Sequence, residues 1–231
     1  MRRFLSGALA LSVFALGACQ SQGTPSLDTE NQKASYGIGL QMGGQLAPAE
    51  SRLEMDAFLA GIRDGIAGSE PAIPQEDLQA ALQAFSEAIN AEMSEQRDAE
   101  AEANVAEGEA FLEENAQRDE VMVTESGLQY EVLEEGEGPT PGPEDQVTIH
   151  YRGTLIDGTQ FDSSYDRGEP ATFGVTGVIP GFSEGLQLMP VGSKYKFYIP
   201  GQLAYGPQGS GQVIGPNETL IFEVELLEIP E

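Results

Sequence analysis

Val147-Thr-Ile-His-Tyr-Arg-Gly-Thr-Leu155, followed by Asp157-Gly-Thr-Gln-Phe-Asp-Ser-Ser164, is the stretch from which the fold is read. Val147, Ile149 and Tyr151 alternate with polar residues, the period of a strand with one buried face. Asp157-Gly158, between Leu155 and Phe161, is a turn signal within a hairpin. His150 falls on the opposite side of the alternation, which predicts a non-catalytic side chain.

The same period recurs on both sides. Leu128, Tyr130 and Val132 form one alternating set, Tyr195, Phe197 and Ile199 a second, and Leu220, Phe222, Val224 and Leu226 a third. Phe182 and Leu186 lie four apart after Pro180, which predicts one or two helical turns that stop before Pro190. From about residue 121 onward the pattern describes an antiparallel sheet with one short helix against it.

Upstream the period is helical. Met55, Phe58, Leu59, Ile62 and Ile66 mark one apolar helix face, ended by Gly68 and Pro71. Pro74 to Asp77 opens another helix, with Leu78, Ala81, Leu82, Phe85, Ile89 and Met93 along one stripe. That stripe fades from about Ser94, where good helix formers and surface residues continue to Gln117. One helix over 75–117 would be roughly 65 Å long at ~1.5 Å per residue, with Gly108 as a candidate break. Tyr36, Ile38, Leu40, Met42 and Leu46 lie in or beside the Gly-rich run Gly37 to Gly44. These glycines weaken a lone helix but admit the close approach of another. Three apolar-faced helices make a thin core. Either a second copy covers their stripes or they pack onto the C-terminal domain, and periodicity alone does not choose.

The chain has 38 acidic and 11 basic residues, a formal charge of −27. Such a chain is repelled by nucleic acid, which excludes that class of partner. With one cysteine, Cys19, no intrachain disulfide can form. With one histidine, His150, no conventional zinc site is expected, and no metal or cofactor. Arg2 and Arg3 precede an apolar stretch, Phe4 to Leu16, too short to span a bilayer, which reads as a signal peptide over residues 1–18. It ends in Leu16-Gly17-Ala18-Cys19, which resembles a bacterial lipobox and implies a lipid on Cys19. Residues 20–30 read as a flexible tether. Gln20, by resemblance to enterobacterial lipoproteins, implies the outer membrane; the periplasmic face is the expected location, and the sequence does not itself choose the side.

Six runs carry a family resemblance: Val147 to Leu155, Asp157 to Ser164, Val178-Ile-Pro-Gly-Phe182, Met189-Pro-Val-Gly-Ser193, Leu203-Ala-Tyr-Gly206 and Glu218 to Leu227. In this order and spacing they resemble the FKBP-type peptidyl-prolyl cis-trans isomerases. Ser35 to Gly39, Gly108 to Leu112 and Ser126 to Tyr130 resemble the Mip and FkpA subgroup. The resemblance implies an α+β chain: a helical dimerisation domain over 31–93, a connecting helix over 94–120, and over 121–231 a twisted antiparallel sheet around a short helix. It also tips the open choice toward a homodimer.

An X-Pro bond isomerises over tens to hundreds of seconds because amide resonance resists twisting. No bond breaks, so the enzyme needs only to bind the twisted amide better than the planar forms. By resemblance, Tyr151, Asp162 and Tyr205 are the catalytic candidates, and Phe161, Arg167, Val178, Ile179, Phe182, Val213 and Phe222 bind substrate. Phe182 is expected beneath the proline ring, where the family usually has Trp. The Ile179 N–H and the Tyr205 hydroxyl are expected on substrate carbonyls, and Asp162 beside the twisting one, oriented by Tyr151 and Arg167. Ala171 stands where an aromatic often lines the pocket, and Ser210 where a histidine often occurs on a mobile Gly-rich flap, Gly206 to Gly215. The implied partners are X-Pro-containing client proteins, macrolides of the FK506 and rapamycin type, and a second copy. A non-catalytic chaperone cradle and a vestigial envelope domain are the competing readings.

Overall fold

The computed structural model describes residues 26–230, so the signal segment, Cys19 and the start of the tether lie outside the described residues. The chain divides into two units at Ser69/Glu70.

The first unit is helical. Helix α1 spans Glu30–Leu46 and starts at a capping box, in which Thr29 Oγ1 accepts from the Gln32 N–H and Gln32 Oε1 from the Thr29 N–H. Each satisfies an amide that the helix itself leaves unpaired. The helix runs unbroken through Gly37, Gly39, Gly43 and Gly44, although each glycine costs about 1 kcal/mol against Ala. A 3-10 turn, Ala47–Arg52, leads to α2, Met55–Ala67. Gly68 ends α2 with a left-handed φ of 66°. Ala49 is the one buried residue among the described residues of this unit.

The second unit opens with α3, Gln75–Asn115, 41 residues without a break. At about 1.5 Å per residue it is some 60 Å long. Gly108, expected as a candidate break, lies mid-helix. It is buried, and a Cβ there would collide with the Thr219 hydroxyl. The glycine marks a close approach rather than an end.

Seven strands follow: β1 Val121–Val123, β2 Gln129–Glu134, β3 Gln146–Thr154, β4 Gln160–Ser163, β5 Ala171–Gly174, β6 Lys194–Ile199 and β7 Leu220–Glu228. They form one sheet in the order β1-β2-β6-β7-β3-β4, with β5 also on β3. All its pairings are antiparallel. Two short helices interrupt the strands, α4 at Ser164–Arg167 and α5 at Pro180–Leu186. In β7, Leu220, Phe222, Val224 and Leu226 are buried and the residues between them half-buried. They join Val147, Ile149, Phe197, Ile199 and the α5 residues Phe182 and Leu186 in one apolar cluster. Each such side chain contributes about 1.5–3 kcal/mol by leaving water.

The C-terminal end of α3 is fastened to this sheet. The Asn115 amide donates to Gln129 Oε1 at 2.9 Å, and the Gln129 amide donates to Leu112 O at 2.8 Å. Arg118 donates to the Tyr198 hydroxyl at 3.0 Å and pairs with Glu131 at 2.9 Å. Phe111 packs on the Tyr198 ring at 5.9 Å.

Candidate active site

Between the sheet, α5 and the loop before β7 lies a cavity of about 650 Å³. Its walls include Tyr151, Phe161, Asp162, Val178, Ile179, Phe182, Tyr205, Val213 and Phe222. Nine of the ten expected catalytic and binding residues thus line one cavity. Arg167 is not among the wall residues. It stands on α4 and engages Asp162 and Tyr151.

The aromatic walls depend on strand register. Gly153 of β3 lies opposite Asp162 of β4 and Phe222 of β7. A Cβ at Gly153 would come within 2.5 Å of Phe161 and 2.8 Å of Phe222, so the missing side chain is where these two rings sit. The rings meet edge to face at 5.4 Å. Phe222 meets Phe182 in the same way at 4.9 Å, the geometry that aromatic quadrupoles favour. Phe182 is 4% exposed, presented by the first turn of α5.

At the polar rim, the Tyr151 hydroxyl donates to Asp162 Oδ2 at 2.5 Å. Asp162 Oδ1 accepts from Arg167 Nη1 at 2.5 Å and from the Ser163 N–H at 2.8 Å. Arg167 Nη2 closes the ring with a 2.9 Å bond to the Tyr151 hydroxyl. Burial alone pushes the Asp162 carboxyl up, but the bonds from Tyr151 and Arg167 outweigh it and hold the group below its ordinary value. Tyr151 is pushed up, first by burial and then by its bond to the carboxylate. Both carboxylate oxygens accept hydrogen bonds, an arrangement that favours the charged form of Asp162.

Two further polar groups belong to residues that line the cavity. The Ile179 N–H and the Tyr205 hydroxyl make no hydrogen bond to any described residue. His150 lies elsewhere. Its Nδ1 bonds Ser164 Oγ at 2.9 Å and its ring stacks on Tyr165 at 4.6 Å. Ser164 Oγ in turn accepts from the Tyr151 N–H at 2.8 Å.

Sequence reasoning missed Phe173, which lines the cavity and packs on Tyr151 at 5.9 Å. The available signal was Ala171 and Phe173 flanking Thr172, one period-2 step. Ala171 itself packs against the core. Gly177, Ser210, Gly211, Gln212 and Ile214 complete the lining. The flap is tied internally, with Ser210 and Ile214 exchanging backbone bonds of 2.8 and 3.2 Å.

Comparison with known proteins agrees with this geometry. Residues 138–227 match the family model of the FKBP-type peptidyl-prolyl cis-trans isomerase, and residues 31–132 match the domain amino terminal to it. The chain is 52% identical to the FKBP-type 22 kDa peptidyl-prolyl cis-trans isomerase of Escherichia coli, over 89% of this chain and 98% of that one. It is 43% identical to the outer membrane protein MIP of Legionella longbeachae, over 88% of each chain. The crystal structure of FkpA from Escherichia coli superposes with a TM-score of 0.69 at 37% identity, covering 88% of this chain and 98% of that one. An aromatic cavity built by one sheet and one short helix, and two family models in tandem, lead to one assignment: the chain belongs to the FKBP-type peptidyl-prolyl cis-trans isomerases.

Proposed function

We propose that this isomerase takes the prolyl ring of an X-Pro segment over Phe182, in envelope proteins, as a lipid-anchored dimer with chaperone activity. The apolar cavity, with Tyr151 and Asp162 of the hydrogen-bonded ring among its walls, carries the reading of the site. A twisted amide has lost its resonance and is less charge-separated than a planar one, so dry aromatic walls favour it over the ground state. The Ile179 N–H and the Tyr205 hydroxyl, both without internal partners, hold the carbonyls of the peptide on either side of the bond. Asp162 fixes the rim and transfers no proton, because the reaction requires none. Macrolides of the FK506 type compete for the same walls.

Protease-coupled isomerisation of a Phe-Pro peptide tests this, on soluble protein beginning after Cys19. Catalysis that a macrolide abolishes is the expected result. Catalysis untouched by a macrolide that binds, or a folded inactive protein, overturns it.

Dimerisation is supported by the first unit. Tyr36, Ile38 and Leu40 of α1 are 48–59% exposed, and among the described residues of the unit only Ala49 is buried. A second copy that buries these side chains would supply the missing core. Sedimentation at micromolar concentration gives a dimer; a clean monomer refutes this part. For the anchor, Cys19→Ser abolishes labelling by palmitate, and retained label overturns it.

A further inference from the structure

We propose that helix α3 is part of the isomerase site, through Arg97 and Asn104, which act as positioning residues for the flap over the cavity. The inference rests on the isomerase reading of that cavity and concerns what holds one of its walls in place. The flap, Gly206 to Gly215 together with the two residues that follow it, 206–217 in all, lies in the connection between β6 and β7. Ser210 to Ile214 of the flap form one side of the cavity.

The flap is held from within by backbone bonds and by few packed side chains. Gly206, Gly209 and Gly211 take left-handed φ values of 58–62°, so its path is set by backbone rather than by packed side chains. Its own bonds close it on itself: Ser210 with Ile214, and the Asn217 N–H to Gly206 O at 2.8 Å. Ile214 is the flap side chain that joins the apolar core, whereas Val213 is 47% exposed.

Helix α3 provides the outer support. Arg97 Nη2 donates to Gln208 O at 2.6 Å and to Pro207 O at 3.2 Å, both at the end of the 3-10 turn Gly206–Gln208. A guanidinium there meets carbonyls that the turn leaves unpaired. Asn104 Nδ2 donates to Pro216 O at 2.9 Å, at the far end of the flap. The approach between them is close, since a Cβ on Gly215 would stand 2.7 Å from Glu100 Oε1. Arg97, Asn104, Gly108, Phe111 and Asn115 are spaced by seven, four, three and four residues, which sets them on one face of the helix. That face carries the flap bonds, the Thr219 approach, the Tyr198 contact and the Gln129 bond in succession. The polar stretch of α3 after Ser94 is therefore a docking face and not only a solvated one.

A wall ordered before binding spares the substrate the entropy of ordering it. Loss of the tie loosens the flap and weakens binding, with little effect on the step that follows.

The test compares wild type, Arg97→Ala, Arg97→Lys and the Arg97→Ala/Asn104→Ala double variant in the full mature chain. KM for a Phe-Pro peptide rises about threefold to tenfold in Arg97→Ala, the loss of roughly one net hydrogen bond. It rises further in the double variant, while kcat moves less than about twofold. Arg97→Lys, which keeps a cationic donor, recovers part of the loss. Hydrogen exchange of the free protein is the second readout: amides of 206–217 lose protection in the alanine variants while those of β3 and β7 keep theirs. Unchanged flap exchange with unchanged KM in the double variant overturns the proposal, as does a loss confined to kcat. An inactive wild type would overturn the isomerase reading instead, and flap exchange would still decide the tie.

Discussion

Arg167 holds Tyr151 in two ways at once, bonding its hydroxyl at 2.9 Å and standing 5.4 Å from the centre of its ring. Asp162 binds both. Asp162→Ala therefore removes the shared partner of two side chains, and a cavity wall moves with it. Bonds to charged groups contribute about 1.5–3 kcal/mol, so kcat/KM falls about tenfold to a hundredfold. Arg167→Lys loses activity because an ammonium cannot reproduce the planar fork, but it loses less because a cationic donor remains. Peptide isomerisation rates measure both. A completely dead Asp162→Ala protein that still folds and binds macrolide would make Asp162 a chemical participant and defeat the account by shape and desolvation.

The same ring sets the pH dependence. The folded Asp162 carboxyl is depressed, so the tie is present above the ordinary carboxylate range and is lost as pH falls through the depressed value. Tyr151 is raised and keeps its proton beyond the ordinary tyrosine range. Neither group titrates between about pH 5 and 9. The expected kcat/KM profile is flat across that window and falls only in stronger acid. A bell-shaped profile centred near neutrality would show that another group takes part.

Gly108→Ala separates intrinsic propensity from packing. In an open helix the change stabilises by about 1 kcal/mol. Here the new methyl meets the hydroxyl of Thr219, which is 2% exposed and β-branched, with little room to turn. The net effect is a loss of about 1–3 kcal/mol, the usual cost of overpacking. The clash is with the hydroxyl, so Gly108→Ala combined with Thr219→Ala costs less than the sum of the two single changes. Denaturant melts of the four proteins give the coupling, and additive values would refute the contact.

The long alternating strands and the short helix were legible because each repeats its period over several residues: Val147 to Tyr151, Leu220 to Leu226, and Phe182 with Leu186. Strands β1 and β5 and helix α4 span only three or four residues and have no period to read, and Phe173 was missed with β5. The aromatic walls came from the order and spacing of the motifs, since alternation alone cannot tell a cavity wall from a core. Gly108 illustrates another limit. A glycine in a helical pattern reads the same way whether it ends the helix or admits Thr219, and residue 219 is too distant in sequence to reveal which. The Arg97 and Arg118 bonds join residues far apart in the chain or of ordinary surface type, so no local signal marks them.

Tyr205→Phe isolates one hydrogen bond. The side chain is 41% exposed, lines the cavity, and its hydroxyl has no partner among the described residues. Nothing in the folded protein loses a bond when the hydroxyl is removed, so stability stays within about 0.5 kcal/mol. The phenylalanine ring keeps the wall. What disappears is one bond to the peptide, about 0.5–1.5 kcal/mol, and kcat/KM falls about threefold to tenfold. A macrolide still binds, more weakly by a similar factor, because the apolar walls remain. Isomerisation rates and inhibitor titration on the same preparation measure both effects. An unchanged rate would show that the Tyr205 hydroxyl faces solvent during turnover, and the substrate carbonyl assigned to it would then need another donor.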